Sequence, residues 1–91
     1  MSAPIVLASR LDLPAANALC DTLKSQTDET VVLDMRQVTY LGALCMQVML
    51  SAATSANADG RAIKLVNTSD RVLDQLRVVG MTPEAISRGR T

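Results

Sequence analysis

Few side chains in this sequence are placed to do chemistry together. There is no histidine, so the commonest general base and metal ligand is missing. The two cysteines, Cys20 and Cys45, do not make a zinc site without histidine partners, and neither has an obvious base beside it for nucleophilic work. Both fall at apolar helical spacing, where a reduced thiol packs as a small hydrophobe. Asp12 and Asp34 stand near the ends of predicted elements, where carboxylates cap helices or are solvated. Ser69 reads as a helix cap rather than a nucleophile, and Arg36 and Lys64 as solvated charges. No GxGxxG or GxxxxGK[ST] string is present, so no phosphate cradle is expected. The expectation is a non-enzyme with no catalytic residues, no metal and no cofactor.

Composition narrows the choice further. A chain of 91 residues makes one domain and not two. With 48% apolar residues it can build a packed core, and nine basic residues balance nine acidic ones. That balance gives no stripe for nucleic-acid phosphates, and a single aromatic, Tyr40, gives no stacking platform for bases. The apolar stretch at residues 41–53 is interrupted by Gly42, Gln47 and Ser51 and falls short of the about 20 residues a bilayer span needs. The N-terminus has no positive charge ahead of its apolar run and does not read as a signal peptide. A cytoplasmic protein with reduced thiols, no membrane insertion and no nucleic-acid partner is expected.

The elements that would position any site follow one another regularly. Ile5-Val6-Leu7-Ala8 reads as a strand. Asp12-Leu13-Pro14 opens a helix whose apolar face carries Ala16, Leu19, Cys20 and Leu23, with Lys24 in the last turn. Val31-Val32-Leu33 is β-branched and continuous, as in a strand buried on both faces, and Asp34 ends it. A loop at residues 35–40 leads to a second helix from about Gly42 to Asn57. On a wheel of about 100° per residue, Leu44, Cys45, Val48, Met49, Ala52 and Ala56 gather on one side. Ala43, Gln47, Ser51, Thr54 and Ala58 gather opposite, with Leu50 at their edge. Asp59-Gly60 stops this helix, and Ala62-Ile63-Lys64-Leu65-Val66 forms the next strand. Asn67-Thr68-Ser69-Asp70 caps a third helix, with Leu73, Leu76 and Val79 or Gly80 as its inner stripe. The expected fold is α/β with β-α-β-α-β-α order, helices packed on a small mixed or parallel sheet, and right-handed crossovers. Residues 1–91 form one domain, its ordered core at about 4–81, and 82–91 read as a flexible tail.

Several segments resemble the STAS family, the fold of anti-sigma-factor antagonists. Val31-Val32-Leu33-Asp34 matches the family's buried strand ending in Asp, and Val38-Thr39-Tyr40-Leu41 matches its V-x-x-[ILM] loop. Arg10-Leu11-Asp12-Leu13 resembles the entry to its first helix. Gly60-Arg61-Ala62-Ile63-Lys64-Leu65-Val66 looks like the strand after its second helix, and Leu76-Arg77-Val78-Val79-Gly80-Met81 like its closing L-x-x-x-G-[LM] element. The resemblance spans about residues 5–81. Where the family carries D-S-[SA]-G, this chain departs: the acidic position is Gly42, the next is Ala43, the phosphorylatable residue is Leu44 and the glycine is Cys45. A leucine cannot accept a phosphoryl group, so the usual gain of nearly two negative charges at that helix start has no place to form. The string Leu41-Gly42-Ala43-Leu44-Cys45-Met46-Gln47-Val48-Met49-Leu50 looks like the small STAS-type proteins of alphaproteobacterial chemotaxis such as CheS. That resemblance implies docking on a chemotaxis histidine kinase and an influence on phosphate flow to its response regulator. The wider family also offers a sigma-factor partner-switching regulator and a STAS subunit of a lipid-transport ATP-binding cassette complex.

The residues themselves also point to binding. Gly42 and Ala43 make a small helix start that a partner backbone can approach, and Ala43, Met46, Gln47 and Leu50 follow on successive turns. Met46 and Leu50 either join this surface or tuck into the core; Gln47, centred on the outer face, is its firmest member. Tyr40 either contacts a partner or covers the end of the core. The expected docking residues are Tyr40, Gly42, Ala43, Met46, Gln47 and Leu50, toward a histidine kinase or a second copy of the chain. On this wheel Leu50→Asp would abolish binding without unfolding, and Leu44→Asp would unfold the domain.

Overall fold

The computed structural model of the chain describes residues 4–88. Strands β1 (Ile5–Val6) and β2 (Arg10–Leu11) precede helix α1 (Leu13–Lys24). Strands β3 (Thr30–Asp34) and β4 (Tyr40–Leu41) precede α2 (Ala43–Ala58), and β5 (Ala62–Val66) is followed by α3 (Asp70–Val78) and α4 (Pro83–Ser87). The sheet has the order β1-β3-β5 with β3 central, Ile5 opposite Leu33 and Val31 opposite Ile63. A second, short ladder joins β2 to β4. Every strand pair among the described residues is parallel, so of the mixed and parallel alternatives the parallel one forms.

Local chemistry accounts for most boundaries. Pro14 sits in the first turn of α1, where its missing N–H costs nothing. Asp12 occupies the position before that turn, but its side chain pairs with Arg10 at 3.0 Å instead of capping. Ser69 does cap α3, its Oγ accepting from Val72 N at 3.3 Å. Gly60 and Gly80 close α2 and α3 at φ of 76° and 75°, a region that favours glycine.

α1 buries the expected Ala16, Leu19 and Leu23, but α2 and α3 bury different faces from those expected. α2 buries Cys45, Met46, Met49, Leu50, Ala53 and Ala56, whereas Leu44 is 47% exposed. The inward face is thus turned by roughly 80° from the expected one. Helix α4, which the sequence reading took for tail, packs on α2, as do α1 and β5. Thr82 Oγ1 accepts from Ala85 N at 3.0 Å, Pro83 opens the turn, and Ile86 is fully buried. Asn57 Nδ2 donates to Ser87 O at 3.1 Å, and Ser87 Oγ donates to Ile63 O, pinning α4 to α2 and β5. Met46, Leu50 and Ala53 lie on the same helical stripe as Asn57, and α4 packs against the C-terminal part of that side of α2. Residues 82–88 therefore belong to the packed body, and the rest of the expected tail, 89–91, lies outside the described residues. α3 turns inward Val72 and Leu76; Val79 is exposed. Cys45 is buried as expected, while Cys20 is only half-buried.

Candidate docking site

The start of α2 is held by a chain of hydrogen bonds that begins at the end of β3. Asp34 is the one buried charged residue among those described. Its Oδ1 accepts from Arg36 N at 3.0 Å and Asn67 Nδ2 at 3.1 Å, and Arg36 Nε lies 3.4 Å from Oδ2. The Arg36 amide first, then Asn67, hold this carboxyl below its ordinary range, with Arg36's charge helping and burial opposing. Asn67 reaches this position from a left-handed backbone at φ 57°. The turn beyond is pinned by Met35 and Val38, both buried, through Met35 N to Val66 O at 2.9 Å and Val38 N to Met35 O at 3.0 Å.

From there the chain runs beside β2. Ser9 O accepts from Thr39 N at 2.7 Å and from Thr39 Oγ1 at 3.0 Å. Arg10 stands opposite Tyr40 and Leu11 opposite Leu41 in the ladder. Leu41 N donates to Gln75 Oε1 of α3 at 2.7 Å, and Gly42 N donates to Leu11 O at 2.8 Å. A Cβ on Gly42 would stand 3.1 Å from Leu11 O and 3.4 Å from the Tyr40 ring, a tight fit that a side chain could take only if β2 gave by a few tenths of an ångström. Because β2 and β4 are in register, the first residues of α1 and α2, Leu13 and Ala43, emerge side by side.

The surface made this way is apolar. Leu13 is 70% exposed and Tyr40 is 40% exposed, with the Arg10 guanidinium 4.8 Å from the Tyr40 ring centroid. Leu44, Ala43 and Gln47 are exposed on the first turns of α2. Of the six expected docking residues, Tyr40, Gly42, Ala43 and Gln47 come together here. Met46 and Leu50 do not: both are buried in the core, at 4% and 9% exposure. Leu13 and Leu44 were missed. No periodicity marks Leu13, which opens a helix at the edge of its apolar face. Leu44 carried a signal of another kind, since it fills the position where the resembled family presents a residue to a kinase.

No reacting group faces this surface. The Cys45 thiol is buried behind it, donating to Asp12 O at 3.4 Å, and burial first, then the Asp12 charge, push it above its usual value. Among the described residues no group of three or more Cys, Asp or Glu side chains is placed to hold a metal ion. No helix among them is long and apolar enough to cross a membrane.

A search of curated protein sequences finds no match. The fold is similar to that in the crystal structure of a sulfate transporter family protein from Wolinella succinogenes, with a TM-score of 0.75 and 24% identity over 94% of this chain and 71% of that one. The family model described as Mlab, STAS domain matches residues 2–83, in keeping with the buried strand ending in Asp34, the pinned loop and the helix that opens at Gly42: the chain belongs to the STAS domain family.

Proposed function

We propose that this STAS domain is a non-catalytic docking module that engages a protein partner through Leu13, Tyr40, Ala43, Leu44 and Gln47 without a phosphorylation switch. The single observation that carries the reading is Leu44. A large apolar side chain stands 47% exposed where the family's phosphoacceptor would be, on a helix start rigidly held by β2 and α3. Exposed apolar groups beside small residues and a tyrosine favour association, and a leucine offers constant affinity where a serine would offer a switch. This weighs against the sigma-factor partner-switching reading. The partner we propose first is a chemotaxis histidine kinase, whose phosphate flow to a response regulator this domain modulates. A STAS subunit of a lipid-transport ATP-binding cassette complex is the second reading, favoured by the description of the matching family model.

The test is an affinity pull-down from the native cytoplasm with wild type, Leu44→Asp and Gln47→Arg side by side, and bound proteins identified by mass spectrometry. Recovery of a histidine kinase by wild type and its loss with Leu44→Asp would support the first reading. A transporter ATPase lost in the same way would support the second. Equal recovery by all three would remove the proposed surface.

A further inference from the structure

Beside the proposed docking face, residues of α1 and α2 line a groove of about 430 Å³, within the size range of small-molecule sites. Its apolar lining is made mostly of small side chains. Cys20 and Leu23 on α1 and Val48 and Ala52 on α2 supply it. Ser51 and Ser55 line one wall. The two charged side chains that line the groove are both cations, Lys24 and Arg61. They share one end of it: Lys24 closes α1, and Arg61 follows α2 and reaches back to Gln26 O at 3.0 Å. Gln47 marks the other end, where the groove borders the docking face.

We propose that this groove binds a single-chain acyl carboxylate, its chain along Cys20, Val48 and Ala52 and its carboxylate between Lys24 and Arg61. Charge complementarity selects that occupant. No carboxylate among the described residues lines the groove, and none pairs with Lys24. Arg61 has only Asp59, 3.6 Å away and mostly exposed, so its charge is not neutralised within the groove. Of the last carbonyls of α1, which would repel an anion, those of Asp21, Thr22 and Leu23 are already engaged. Thr22 O accepts from Ser25 Oγ at 2.8 Å and from Gln26 Nε2 at 3.2 Å, Leu23 O accepts from Gln26 N, and Gln26 O accepts from Arg61. From Gln47 to Ser55 the helix rises about 12 Å, room for a medium-length chain laid along it. Removing that chain from water is the favourable term, and the two cations fix which end the head takes.

Cys20 makes the test direct, because it is half-buried in the groove lining while Cys45 is fully buried elsewhere. The rate of Cys20 alkylation by neutral iodoacetamide is followed by intact-protein mass spectrometry during titration with decanoate, below its micelle concentration. Decanoate should slow alkylation at least tenfold at saturation. Lys24→Glu, at an exposed position, should keep the far-ultraviolet circular dichroism spectrum and raise the half-protection concentration about tenfold. Ala52→Phe should fill the groove and remove the dependence on decanoate. Absence of protection would overturn the proposal, as would retained protection in Ala52→Phe. Equal protection by decyltrimethylammonium would overturn the carboxylate end. Protection that grows with protein concentration alone would assign the groove to a second copy of the chain instead.

Discussion

Leu44 and Leu50 are the same residue on the same helix, six positions apart, with opposite fates. Leu44 stands half in water at the open end of α2, and Leu50 is packed in the core. Neither helix propensity nor hydropathy separates them. What separates them is tertiary packing, since α1, β5 and α4 together enclose one stripe of α2 and leave the other open. Fully burying a leucine contributes about 1.5–3 kcal/mol. Leu50 collects that within the chain, whereas Leu44 leaves much of it for another molecule to supply. A helix that is apolar nearly all round can thus hold a core face and a docking face at once.

The largest effect expected from this contrast is at Leu50. Leu50→Asp removes buried apolar surface and leaves a carboxylate with no cation beside it, a loss of more than about 4 kcal/mol. Against a total of about 5–15 kcal/mol for a domain, urea titration followed by circular dichroism should show the variant largely unfolded. A midpoint near wild type would mean that the two faces of α2 have been exchanged. Ile86→Ala tests the late helix that packs on α2. If α4 is part of the core, emptying its fully buried side chain should lower stability by about 2–4 kcal/mol in the same titration. A loss below about 0.5 kcal/mol would return residues 82–88 to the status of a tail.

Legibility in the sequence follows the same line. The strands β1, β3 and β5 and the helices α1, α2 and α3 were readable because their signals are local: apolar and β-branched runs, Pro14, Ser69, Gly60 and Gly80. β2 and β4 were not readable as strands, since neither lies in an apolar run and they exist as a ladder only because their chains meet. α4 was lost because five residues give no helical stripe, and residues 82–91 were read as a tail where Thr82 is a cap. The small helix start at Gly42 and the lone aromatic Tyr40 pointed to four expected docking residues that lie on the exposed start of α2 or just before it. Met46 and Leu50 went astray because the wheel put the buried face of α2 on a neighbouring stripe. Leu44 was assigned to the core by the wheel although its alignment with a family phosphoacceptor implied an accessible place; for a nearly all-apolar helix the second signal is the better one.

Asp34 gives a contrast between the two ends of the loop that leads to α2. At the Asp34 end the hold on the chain is ionic, and at the Gly42 end it is backbone to backbone. Because the folded-state carboxyl lies below its ordinary value of 3.8, its contribution is complete above that pH and is lost as pH falls through the lower folded value. Asp34→Asn should therefore be less stable than wild type at neutral pH, and the gap should close below about pH 3.8. Urea midpoints measured from pH 7 to pH 3 would show it. A gap independent of pH would mean that the charge plays no part in holding the loop.

The smallest effects on stability are expected where the effects on binding are largest. Leu44→Asp gives up the half of its surface that is buried, but it places a carboxylate in the first turn of α2, which has no acidic residue and no side-chain cap. An anion there gains about 0.3–1 kcal/mol from the helix dipole, so the net change should stay within about 1 kcal/mol of wild type. Gln47→Arg, fully on the outer face, should stay within about 0.5 kcal/mol. Both should nonetheless lose the captured partner, Leu44→Asp by placing a charge at the centre of an apolar contact and Gln47→Arg by adding bulk and charge at its rim. The pair sharpens the comparison because it separates cost to the fold from cost to the interface on a single helix. A variant that unfolds would place Leu44 in the core after all, and folded variants that keep the partner would move the docking face away from the start of α2.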